Sequence, residues 1–96
     1  MPLILSIETA TNAFSVALHK NGVLLGLQEL FLEKSHSTHL AVMIEQLLSN
    51  CQVEMKNLQA VAISKGPGSY TGLRIGVATA KGLCYALDIP LISVNT

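Results

Sequence analysis

The run Gly66-Pro67-Gly68-Ser69-Tyr70-Thr71-Gly72-Leu73-Arg74-Ile75-Gly76 concentrates the chemistry-bearing backbone of this chain, with four glycines in eleven residues. Gly66-Pro67-Gly68 offers positive φ and a fixed φ side by side, which suits a sharp strand-to-helix turn. Ser69 or Thr71 can cap the helix that follows, and the N-terminus of such a helix can receive an anion. Familiar phosphate loops do not fit. A P-loop needs Gly-Lys-Ser/Thr five residues beyond its first glycine, and here Thr71 stands there with no lysine after Gly72. A dinucleotide fingerprint starting at Gly66 also needs glycine at position 71. A nucleophile elbow needs Gly-x-Ser-x-Gly, but Ser69 directly follows Gly68, and no Asp/His pair is evident for a triad.

Other candidates are sparser. Glu8 ends an apolar run, and its neighbours Thr9 and Thr11 would suit a phosphate, as would Gly66, Gly68, Ser69 and Arg74 around the glycine-rich loop. A nuclease or kinase site needs several converging carboxylates, and beyond Glu8 only Glu29 falls on an expected strand. His36 and His39 are three apart at a helix start but lack an evident third ligand, so no metal site is expected. Cys51 and Cys84 sit within apolar patterns and read as buried reduced thiols rather than a disulfide scaffold or a metal knuckle.

Composition narrows the function classes. The chain has 96 residues, half of them hydrophobic and only 12% charged, against roughly 25% in ordinary soluble domains. So few charges leave apolar surface that another chain or further sequence is expected to cover. Six Lys and Arg balance six Asp and Glu, which gives no charge excess to attract nucleic acid or an acidic membrane unaided. The N-terminal apolar run is too short for a signal peptide's core, and no stretch of about 18 apolar residues spans a bilayer, so a cytoplasmic protein without membrane partners is expected.

The elements that must position these residues follow from periodicity. Leu3 to Ile7 is nearly all apolar, the pattern of a central strand covered on both faces. Ala13 to His19 alternates, Asn21-Gly22 signals a tight hairpin, and Val23 to about Phe31 completes a meander in which Gly26 marks a bulge or a close approach. After Ser35 or Ser37 the period changes to that of a helix, with Leu40, Met43, Ile44, Leu47, Leu48 and Cys51 on one face and Val42 opposite. Gln59 to Ser64 is a buried strand able to run parallel in the same sheet. The second helix, about Thr71 to Leu87, carries two small or apolar stripes. One is Gly72, Gly76, Thr79, Leu83 and Ala86; the other is Leu73, Val77, Ala80 and Cys84. Each glycine in a helix costs about 1 kcal/mol relative to alanine, so the first stripe implies a close neighbouring backbone. Pro90 to Val94 forms a last parallel strand. The order β-β-β-α-β-α-β around a mixed five-stranded sheet is that of an α/β ribonuclease H-like domain, the unit duplicated in actin-like ATPases.

The segments Ile4 to Thr11, the His36-Ser37 helix start and above all Gly66 to Gly76 closely resemble the TsaB (YeaZ) family over essentially the whole chain. That resemblance implies a non-catalytic scaffold subunit of the bacterial complex that makes threonylcarbamoyladenosine in tRNA. It implies two tandem actin-like halves, with residues 1–96 forming the first and the second absent from this sequence. The catalytic paralogue carries a His-x-x-x-His metal motif just after the strand corresponding to Pro90–Val94. Asn95 and Thr96 begin that place here, and no histidine follows Ile92. The expected partners are that paralogue, an ATPase subunit, a second copy in isolation, and tRNA only through the complex. No cofactor is required of this chain, with ATP or ADP possible at the shared interface. Helix packing in the family points to Leu40, Ile44, Leu47, Gly72, Leu73, Gly76, Thr79 and Leu83 as the partner interface. A stand-alone glycoprotease-like or ATP-hydrolysing enzyme and a purely homodimeric regulatory protein are the alternatives.

Overall fold

The computed structural model describes residues 2–9, 13–31, 37–64 and 70–94. Five strands form one sheet: β1 (Leu3–Glu8), β2 (Ala13–Lys20), β3 (Val23–Phe31), β4 (Ala60–Ser64) and β5 (Leu91–Val94). Helix α1 (Ser37–Asn50) links β3 to β4, and α2 (Tyr70–Leu87) links β4 to β5. The strand order is β3-β2-β1-β4-β5, so β1 is central. It pairs antiparallel with β2 and parallel with β4, and β5 extends the parallel side.

Local chemistry explains where the elements begin and end. Asn21 and Gly22 have φ of 56° and 79°, the positive pair that a two-residue hairpin turn demands, and the Asn21 amide donates to the Pro2 carbonyl at 3.0 Å. Both helices stop in the same way. Gln52 (φ 58°) and Asp88 (φ 55°) adopt the left-handed conformation, and the following amides reach back, Val53 to the Leu48 carbonyl at 2.9 Å and Ile89 to the Cys84 carbonyl at 3.0 Å. Pro90 then prevents continuation. Gln59 joins β4 to β1 twice: its amide donates to the Leu3 carbonyl at 2.9 Å, and its side-chain oxygen accepts from the Leu3 amide at 2.9 Å.

The core lies between the sheet and the helices. Leu5, Ile7, Phe14, Val16, Leu18, Val61 and Ile63 from the strands meet Leu40, Ile44 and Leu47 from α1 and Ala80 from α2. Each of these is at most 2% exposed, and burial of a Leu or Phe side chain is worth roughly 1.5–3 kcal/mol. Gly26 brings the edge strand close to α1; a β-carbon there would sit 2.7 Å from Cys51 Sγ and 2.9 Å from Leu47 Cδ1. Beside it the ladder shifts register, since Leu18 pairs with Gly26 but His19 with Leu24. The bulge and the close approach expected at Gly26 therefore occur together.

Two expectations need correction. β1 is not covered on both faces: Leu3, Leu5 and Ile7 are buried under the helices, while Ile4 and Ser6 are half-buried on the other side and Glu8 is exposed. The alternation was hidden because Ile4, on the bare side, is as apolar as its buried neighbours. The two stripes of α2 are also not separate surfaces. Gly76, Ala80 and Cys84 are buried, Leu73, Ile75, Val77, Thr79, Leu83 and Leu87 half-buried, and Ala86 is exposed. One inward face thus draws members from both stripes.

Cys84 is buried, and its thiol donates to the Pro90 carbonyl at 3.5 Å. Burial pushes this thiol above its ordinary value of 9.0, with a backbone hydrogen bond involving Val61 acting in the opposite direction. A thiol that ionises later when folded contributes stability below the unfolded pKa, and that contribution is lost as pH rises toward the folded value. Urea unfolding between roughly pH 8 and 10 is therefore expected to show a decline that is shallower in Cys84→Ala. Equal slopes for the two proteins would contradict this assignment.

Candidate functional site

The parallel strands β1, β4 and β5 end together, with Glu8 beside Ser64 and Ser64 beside Val94. In open α/β sheets this carboxyl edge is where ligands collect. Alternation splits the candidates there. Glu8 is exposed on the bare face, between Ser15 of β2 and Ser64 of β4. Thr9 turns the other way, is fully buried, and lies under α2 against Gly76. The structure therefore does not bring Glu8 and Thr9 to one ligand, and Thr9 has no surface to offer a phosphate.

A trough of about 360 Å³ runs along the bare face. Small side chains form its floor, among them Ser6, Ala17 and Ala62, while Leu27 and Val94 form its sides and Glu8 lies at its carboxyl end. Among the described residues its lining offers one carboxylate, several hydroxyls and an apolar wall. The Ser64 hydroxyl is buried without a hydrogen-bond partner, as is that of Thr9. Neither orphan was visible in the sequence, because a serine at a strand end reads simply as a boundary residue. Among the described residues no three His, Cys, Asp or Glu side chains gather as a metal site requires. His39 is exposed on α1, and no helix among these residues is long and apolar enough to cross a membrane.

The structure divides the residues expected at a partner interface between the core and the outer side of the helices. Leu40, Ile44 and Leu47 are 0%, 2% and 2% exposed inside their own chain, so they cannot touch a partner. Their apolar stripe is the helix's contact with its own sheet, which periodicity alone does not distinguish from an interface. Gly76 is likewise turned inward, and a β-carbon there would collide with Thr9 Oγ1 and lie 3.1 Å from Ile63 Cδ1. The missing side chain admits the chain's own β1 and β4. Thr79 and Leu83 are half-buried, with Leu83 packed on the core. Gly66, Gly68 and Ser69 lie outside the described residues, and of Gly72 only its place in α2 is described. Leu73 and Arg74 instead line a shallow outward hollow of about 400 Å³ on α2, together with Val77, Ala78 and Lys81. One turn further along that side Tyr85 is 92% exposed, and on α1 Val42 is 44% exposed.

The architecture defines a ribonuclease H-like α/β protein. RuvC of Thermus thermophilus, solved in complex with a Holliday junction, superposes with a TM-score of 0.67 over 99% of this chain and 65% of its own, at 7% identity, a likeness of fold alone. The family model for TsaD, tRNA N6-adenosine threonylcarbamoyltransferase, matches residues 30–96. A tRNA threonylcarbamoyladenosine biosynthesis protein TsaB from Buchnera aphidicola is 44% identical over 98% of this chain and 42% of its own length. The structure of YeaZ from Pseudomonas aeruginosa superposes with a TM-score of 0.89 at 34% identity, over 99% of this chain and 43% of that one. The chain belongs to this threonylcarbamoyltransferase-related family, and within it to the TsaB (YeaZ) branch. It spans less than half the length of these two relatives.

Two substitutions test the seat of α2. Thr9→Val removes a buried hydroxyl that lacks a partner, so the urea midpoint is expected to rise by the equivalent of about 1 kcal/mol. Gly76→Ala gains helix propensity but forces its β-carbon onto Thr9 and Ile63, with an expected net loss of about 1–2 kcal/mol. A Gly76→Ala protein as stable as the parent would mean that α2 does not rest on this contact.

Proposed function

We propose that this chain is the first actin-like half of a non-catalytic scaffold subunit in tRNA threonylcarbamoyladenosine synthesis. Its kinship with TsaB supports the pathway. The solvent side of the helix pair carries the association: Arg74, Ala78, Lys81 and Tyr85 on α2, with Val42 on α1. The single observation behind this choice is Tyr85, an almost fully exposed aromatic on a helix whose opposite face is already committed to the core. Exposed aromatics with short side chains beside them suit a flat helix-to-helix contact, and Arg74 and Lys81 give it a positive edge. The partner is a catalytic paralogue bearing the His-x-x-x-His motif, joined by an ATPase subunit. A second copy takes the same surface in isolation, ATP or ADP binds where the subunits meet, and tRNA is reached only through the assembly.

Among the described residues the bare face carries two carboxylates at this level, Glu8 and, two strands away across Ser15, Glu29. Strands about 4.8 Å apart hold them too far from each other to converge on one ion. This favours a supporting role, because metal-assisted phosphoryl chemistry on this fold needs several converging carboxylates. The competing reading is an enzyme acting alone, favoured by the transferase identity of the matching family model. Glu8 would then be its functional carboxylate.

Association is tested by titrating the catalytic paralogue with the whole protein in a calorimeter. Ala78→Glu and Tyr85→Ala are each expected to weaken binding by tenfold or more, whereas Leu40→Ala lowers the free energy of unfolding by about 2–5 kcal/mol and leaves the affinity of the folded fraction unchanged. Undiminished binding by both surface variants would overturn the assignment of this face. For the competing reading, the purified protein alone is assayed for ATP turnover and glycoprotein cleavage. No turnover is expected, and activity abolished by Glu8→Ala would establish the enzyme instead.

A further inference from the structure

We draw no further inference here: the strongest candidate, the trough on the bare face of the sheet between β3 and β5, is an apolar surface for which nothing in the structure shows the occupant.

Discussion

The close seating of α2 on the carboxyl ends of β1 and β4 is the constraint on which this molecule depends. Helix and sheet meet where Gly76 faces Thr9 and Ile63, and any side chain at Gly76 would hold the helix away. The approach aligns Ala80 and Cys84, one and two turns further on, with the core. It costs helix propensity at Gly76 and leaves the Thr9 hydroxyl without a partner. Both are local losses, offset by apolar burial along the rest of the helix. The Pro90 carbonyl, which accepts both the Cys84 thiol and the Val61 amide, closes the unit by tying the end of the crossover to the neighbouring strand.

The same contact separates what was legible in the sequence from what was not. Strand and helix periods, the Asn21-Gly22 turn and the Pro90 stop act through nearest neighbours, so element order and topology could be read without coordinates. A need for close approach at Gly76 could be read as well, but not its direction. A glycine records that something is near and carries no label for its owner. The apolar stripe of α1 has the same ambiguity, since Leu40, Ile44 and Leu47 would look identical whether they met their own sheet or a neighbour. Only burial, a property of the whole fold, resolves it. Glu8 and Thr9 show a second kind of limit: they are adjacent in sequence, yet the end of β1 sends one to the bare face and the other beneath α2.

The two sides of the sheet are unequal partners. One is covered by both helices and holds nearly all the large buried side chains. The other pairs a floor of small residues with bulky margins at Leu27, Phe31, Ile92 and Val94, each at least 41% exposed. Parallel sheets normally carry a layer on each side, and here the described residues supply one. That imbalance agrees with the low charge content, for the chain lacks the polar side chains that would make the second side a comfortable boundary with water.

The irregular pairing beside Gly26 has a bearing on solubility. β3 is an outermost strand whose free backbone could template a strand from any passing molecule, and Val23, Leu24 and Leu25 make it adhesive. The additional residue at Leu25 interrupts the even spacing of donors and acceptors and increases the local twist, so a straight intruder finds only a short stretch to match. A small kink near the hairpin thus serves as a guard against fibrous self-assembly, in a protein with little electrostatic repulsion to provide one.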